Sequence, residues 1–141
     1  MIQNATRLRL FAACMYELLL LLALWMLCTW IFLSLFGDAT QGYKRYFLQF
    51  FLWLITGAYF VWCWVKTGQT LATKTWKIKL VVRDLANQQY STLTLTQALF
   101  RYVLASASML ACGVGFIWAL VDKDSLFLHD RLLKTRFIRL D

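Results

Sequence analysis

The sequence predicts an all-α integral membrane protein. It has two transmembrane helices in a hairpin, a third membrane-embedded segment that is re-entrant in the favoured reading, and a small cytoplasmic cap built from a β-hairpin and an amphipathic helix. Three observations carry this. Apolar residues make up 61% of the 141-residue chain and charged residues 16%, with no proline, whereas soluble domains average about 45–50% and about 25%. Two long apolar runs are separated by one short polar turn. Between residues 67 and 93 the pattern changes to a short-period alternation of apolar and charged side chains. Residues 1–141 are read as a single domain.

The first run, 10–36, exceeds the roughly 20 residues that a helix needs to cross the hydrocarbon core. Arg7 and Arg9 ahead of it superficially resemble the start of a signal peptide. A secretory apolar region is only about 7–15 residues and ends in small side chains, but this run is longer and ends in bulky ones (Trp30, Ile31, Phe32), so an uncleaved anchor is expected. Gly37 to Gly42 is a polar turn. The second span, 46–65, is entered through Lys44 and Arg45 and left through Lys66. Tyr43, Tyr46, Trp62 and Trp64 near its ends fit an interfacial aromatic belt.

Trp76-Lys77-Ile78-Lys79-Leu80 has the two-residue period of a half-buried strand, and Tyr90 to Leu93 is the expected return strand of a hairpin over 67–93. Thr94 and Gln97 are spaced as a capping box and open the third apolar segment, 95–121. Gly113 and Gly115 interrupt that segment, so one tilted helix or two shorter pieces both fit. Basic residues concentrate on the cytoplasmic side of membrane proteins. With the N-terminus inside, only Lys44 and Arg45 lie outside if the third segment re-enters. If it crosses, Lys123, Arg131, Lys134, Arg136 and Arg139 join them and the bias nearly vanishes. Re-entry, with both termini cytoplasmic, is therefore favoured. The tail, 125–141, reads as a surface amphipathic helix followed by an extended piece at 135–140 able to extend the hairpin at 76–82.

The net charge of +8 is assigned to the same cytoplasmic bias; no nucleic-acid signature accompanies it, and no nucleic-acid partner is expected. Cys14, Cys28, Cys63 and Cys112 lie in apolar segments without paired spacing, which argues against a disulfide framework or a metal site. No serine, cysteine or histidine arrangement suggests a nucleophile, so neither an enzyme nor a cofactor is expected. Gly68-Gln69-Thr70 lacks the Gly-Lys-Ser/Thr of a phosphate loop and is read as a turn whose hydrogen bonds go to Asp130 or Asp122.

The ordered motifs resemble the RDD family, bacterial membrane proteins named for one arginine and two aspartates. The resemblance rests on Arg9-Leu10-Phe11-Ala12-Ala13 with Glu17, on Gly68-Gln69-Thr70-Leu71, on Gln97-Ala98-Leu99-Phe100-Arg101-Tyr102, on Gly115-Phe116-Ile117-Trp118-Ala119-Leu120-Val121-Asp122, and on Leu128-His129-Asp130-Arg131-Leu132 with Thr135. Glu17 stands where the family usually has aspartate. Ala72 and Lys134 stand where it has glycine, so a left-handed backbone at those positions is expected to be absent or relaxed. The resemblance implies a multi-pass protein of the bacterial inner membrane. It also implies, for some members, transport that includes cation/proton exchange.

Arg9, Glu17, Arg101, Asp122, His129 and Asp130 are the candidate functional residues. Glu17 is the only charge between residues 10 and 36, and a buried membrane carboxylate needs a cationic partner, a water-filled cavity or a proton. Arg9 lies about 12 Å away along a helix, too far to pair directly. Arg101 is the expected partner of Glu17, and a structural Glu17–Arg101 lock is preferred to a transport site. His129 beside Asp130 is weighed as a proton relay, with a satisfied interface histidine as the commoner outcome. The leading function is transport of cations or protons by an oligomer in the bilayer. The alternative is an accessory or assembly subunit docking a larger membrane complex.

Overall fold

The computed structural model describes residues 5–83, 89–111, 113, 117, 118, 121 and 127–140. Helix α1, Arg7–Phe36, and helix α2, Tyr43–Lys66, form an antiparallel hairpin. At 1.5 Å per residue α1 is about 45 Å long, more than a bilayer core requires. Gly37 and Gly42 bound the turn with positive φ values of 76° and 71°, a conformation glycine adopts without a Cβ penalty. Only 6% of the most apolar stretch of α1 and 17% of that of α2 is buried within the protein. Both helices therefore present apolar surface all round, the pattern of a membrane span and not of a soluble core helix.

Where α1 and α2 touch, the contacts are specific. The Trp25 indole N–H donates to Thr56 Oγ1 at 2.8 Å, and the Thr56 hydroxyl donates to the Leu52 carbonyl at 2.7 Å. The Phe32 and Phe51 rings lie 5.8 Å apart.

Beyond α2 the chain makes a short helix, α3 (Leu71–Thr75), that the sequence reading did not anticipate within 67–93. Its signal was present: Thr70 caps it, accepting from the Thr73 amide while Thr73 Oγ1 accepts from the Thr70 amide. Strand β1 (Ile78–Arg83) follows, then β2 (Tyr90–Ser91). Helix α4 (Leu95–Leu110) starts at the expected capping box of Thr94 and Gln97. Helix α5 (Leu128–Leu132) and strand β3 (Thr135–Arg139) complete the chain. The sheet order is β2-β1-β3, antiparallel throughout, with Leu80 opposite Phe137 and Val82 opposite both Thr135 and Ser91. The extended tail thus joins the hairpin as the sequence predicts.

Helix α4 stops well short of residue 121. Ala111 ends it, and Gly113, at φ 71°, donates to the Ser108 carbonyl at 3.0 Å. Because β2 precedes α4 and β3 follows α5 in one sheet, the chain comes back to the end of the molecule it left. Helix α4 runs alongside α2 at a very close approach. A Cβ on Gly57 would stand 2.7 Å from the Tyr102 ring. The Tyr102 hydroxyl donates to the Trp53 carbonyl at 2.7 Å, and the Trp53 indole donates to Ser106 at 3.1 Å.

Two cores lie at the sheet end. Leu80, Leu93, Ala98, Tyr102 and Trp64 form one, and Ala5, Leu10, Ala13 and Ile78 form the other, with Phe137 packed against both. Trp64 is 7% exposed, so it is a core residue and not the belt residue predicted. Tyr43, Tyr46 and Trp62 do remain exposed. The reason is position: α4 and the sheet cover the side of α2 that carries Trp64.

Candidate functional site

The first polar cluster is built on the first three turns of α1. Glu17 is half-buried, and its carboxylate Oε2 accepts a hydrogen bond from the Thr70 hydroxyl. Thr70 is placed there by the turn leaving α2. Gly68 adopts φ 70°, and any Cβ on it would strike the Leu80 carbonyl oxygen at 2.6 Å. Its own carbonyl accepts from the Leu80 amide at 2.8 Å. Gln69 Nε2 donates to the Ile78 carbonyl at 2.8 Å, tying the same turn to β1. The Tyr59 hydroxyl, which accepts from the Leu71 amide at 3.3 Å, also acts on the Glu17 carboxylate. The Gly68-Gln69-Thr70 turn therefore serves Glu17 and β1, not Asp130 as predicted; Asp122 lies outside the described residues.

The second cluster is centred on Arg101, which forms an ion pair with Asp130. Arg101 is 2% exposed and Asp130 0%. Thr135 completes the triangle, accepting from Arg101 Nη1 at 3.2 Å and donating to Asp130 Oδ1 at 2.9 Å. The guanidinium lies over the Trp64 ring at 4.9 Å and the Phe137 ring at 5.4 Å, where cation–π attraction offsets part of the cost of desolvation. Residues from α2, α4, α5 and β3 meet at this one cation. The predicted Glu17–Arg101 pair does not form. Asp130 takes the arginine because α5 packs directly on α4, while Glu17 points to the turn after α2.

His129 stacks on Phe127, with ring centroids 5.4 Å apart and planes 3° apart. Burial, and then the Arg101 cation, lower its pKa to about 3, so the imidazole is neutral across physiological pH. A neutral imidazole is unsuited to relay protons near pH 7. Arg9 is half-exposed and lies on neither cluster. Among the described residues, no three His, Cys, Asp or Glu side chains come together to hold a metal ion.

At Lys134 φ is 55°, and Ala72 sits inside α3, fully buried. The left-handed backbone that a glycine would supply is thus kept at Lys134, against expectation, because the chain must reverse between α5 and β3. At Ala72 no such conformation is needed.

No curated protein and no solved structure matches the chain. The model of the RDD family matches residues 5–134, a span holding Glu17, Thr70, Arg101 and Asp130 together with both helices long enough to cross a bilayer. The chain belongs to the RDD family.

Proposed function

We propose that the protein is a subunit of an oligomeric transporter of the bacterial inner membrane that exchanges protons for cations, with Glu17 as the exchanging group. The observation supporting this is the company Glu17 keeps. It lies within a helix of membrane-spanning length, and among the described residues no cation bridges it. Its partners are hydroxyls, which donate or accept as needed and so accommodate the carboxyl in either protonation state. Its Oε1 is buried without a hydrogen-bond partner, at the point where α1 meets the cap, and an acid buried in a membrane-spanning helix without a cation is a candidate functional group. Arg101, which would have locked Glu17 as a fixed charge, is held by Asp130.

In this reading α1 and α2 cross the bilayer, and the third apolar segment, opened by α4 beside α2, re-enters, since the strands before and after it share one sheet. The sheet, α3 and α5 form the cytoplasmic cap, as the bias of basic residues suggests. Two spans enclose no pathway, so the pathway lies between copies. The test is cation-driven proton flux into proteoliposomes carrying a pH-sensitive dye. We expect flux from the native protein and a loss of about a hundredfold or more, within the 10²–10⁴ attributed to a positioned proton-transfer group, in Glu17→Gln with unchanged assembly. Silence from native protein, with a stoichiometric membrane partner co-purifying, would instead establish an assembly subunit.

A further inference from the structure

We propose that the cavity between the start of α1 and the end of the cap where β1 begins and β3 finishes is a binding site for a phosphoryl anion, supplied by an acidic phospholipid headgroup or by free phosphate. The cavity is about 400 Å³ and is lined by Arg9, Thr75, Trp76, Lys77, Arg139 and Leu140. That volume is in the range of small-ligand sites, about 300–1,000 Å³. Three of the six lining residues are cations and none is an acid.

Charge accounting points the same way. Each carboxylate among the described residues is engaged elsewhere: Glu17 with Thr70, Asp38 with Thr40 in the turn at the far end of α1, and Asp130 with Arg101. None of these three described acids lines the cavity, and cations gathered on one wall favour an anionic occupant. Backbone bonds also hold the wall in place. Lys77 holds a left-handed φ of 53°, with its amide on the Lys74 carbonyl at 3.1 Å and its carbonyl accepting the Leu140 amide at 2.8 Å. A non-glycine residue fixed in this region is strained, and such strain concentrates at functional sites. The cavity lies at the end of α1 that leads into the cap, headgroup depth if α1 spans, with Trp76 part-exposed on its wall. Arginine and lysine recognise phosphate through charge-assisted hydrogen bonds, and Arg9 gains a role that neither polar cluster gives it.

The test uses the full-length protein in phosphatidylcholine nanodiscs containing a trace of fluorescent phosphatidylglycerol. Energy transfer from tryptophan reads lipid retention, and calorimetry with inorganic phosphate alone reads the second source. We expect saturable binding of one of these probes, weakened about tenfold, one charge-assisted contact's worth, in Arg9→Gln and in Lys77→Gln. Lys44→Gln, at the opposite end of the helices, should leave it unchanged. Lipid retention identifies the headgroup as the source, and phosphate heat identifies the free anion. Binding of neither probe overturns the proposal, as does an equal loss in Lys44→Gln, which would mean diffuse attraction to a basic surface. Circular dichroism of each variant separates lost binding from lost fold, and Lys77→Arg, which keeps the charge, should restore binding.

Discussion

A single side chain decides most of the electrostatics of this protein. Arg101 is buried, and a buried charge is tolerated only when paired and hydrogen-bonded. Asp130 and Thr135 satisfy Nη1, while Arg101 Nε and Asp130 Oδ2 are buried without partners. Removing one member of such a pair typically costs about 3–5 kcal/mol. Asp130→Asn is therefore expected to lower the unfolding midpoint in detergent strongly. The double replacement Arg101→Met with Asp130→Leu should be less damaging than either single change. A double variant as unstable as the sum of the singles would show that the pair adds nothing beyond volume. His129 gives a second outcome. Its native pKa of about 3 lies below the ordinary 6.5, so above about pH 6.5 it is neutral in both states and stability is flat with respect to it. Below that, the unfolded chain takes up a proton that the native protein refuses, and stability falls as pH drops toward about 3. His129→Gln should flatten that part of a Tm-against-pH curve.

Among the elements, the reversals between helices and strands are where sequence and geometry disagree most. Lys134 occupies a left-handed conformation that costs an L-residue about 1–2 kcal/mol, offset partly because glycine has more entropy to lose on folding. Lys134→Gly is expected to leave the melting temperature unchanged or raise it by the equivalent of up to about 1 kcal/mol; a clear fall would mean that the lysine side chain contributes something unseen. Glycine at 57 shows the opposite constraint, because Tyr102 occupies the space of any side chain. The capping boxes at Thr70 and Thr94 share one spacing logic, yet only the second precedes a long apolar run. That is why α4 was legible and five-residue α3 was not.

For the molecule as a whole, β2 before the third apolar segment and β3 after it share one sheet, and the topology proposed on that ground is open to a direct test. Single cysteines placed at Thr40 and at Lys134, on a background with the native cysteines replaced, are expected to react with an impermeant thiol reagent from opposite faces of the membrane. In inverted vesicles Lys134 should label and Thr40 should not. Labelling of both from one face would mean that the helices do not span.

Composition and the two apolar runs were enough to specify the helix hairpin, because hydrophobicity over about 20 residues is a local property that needs no partner. The alternation at 76–80 and the tail at 135–140 were likewise readable as strands, since a period of two shows in any short window. Which acid meets which arginine was not readable. Glu17 and Asp130 compete for Arg101 across 84 and 29 positions of chain, and local pattern ranks neither. Packing of α5 on α4, and the tight turn at Gly68 that delivers Thr70 to Glu17, decided it. Side-chain pairing at long separation is fixed by where the backbone brings the groups, and only the assembled structure holds that information.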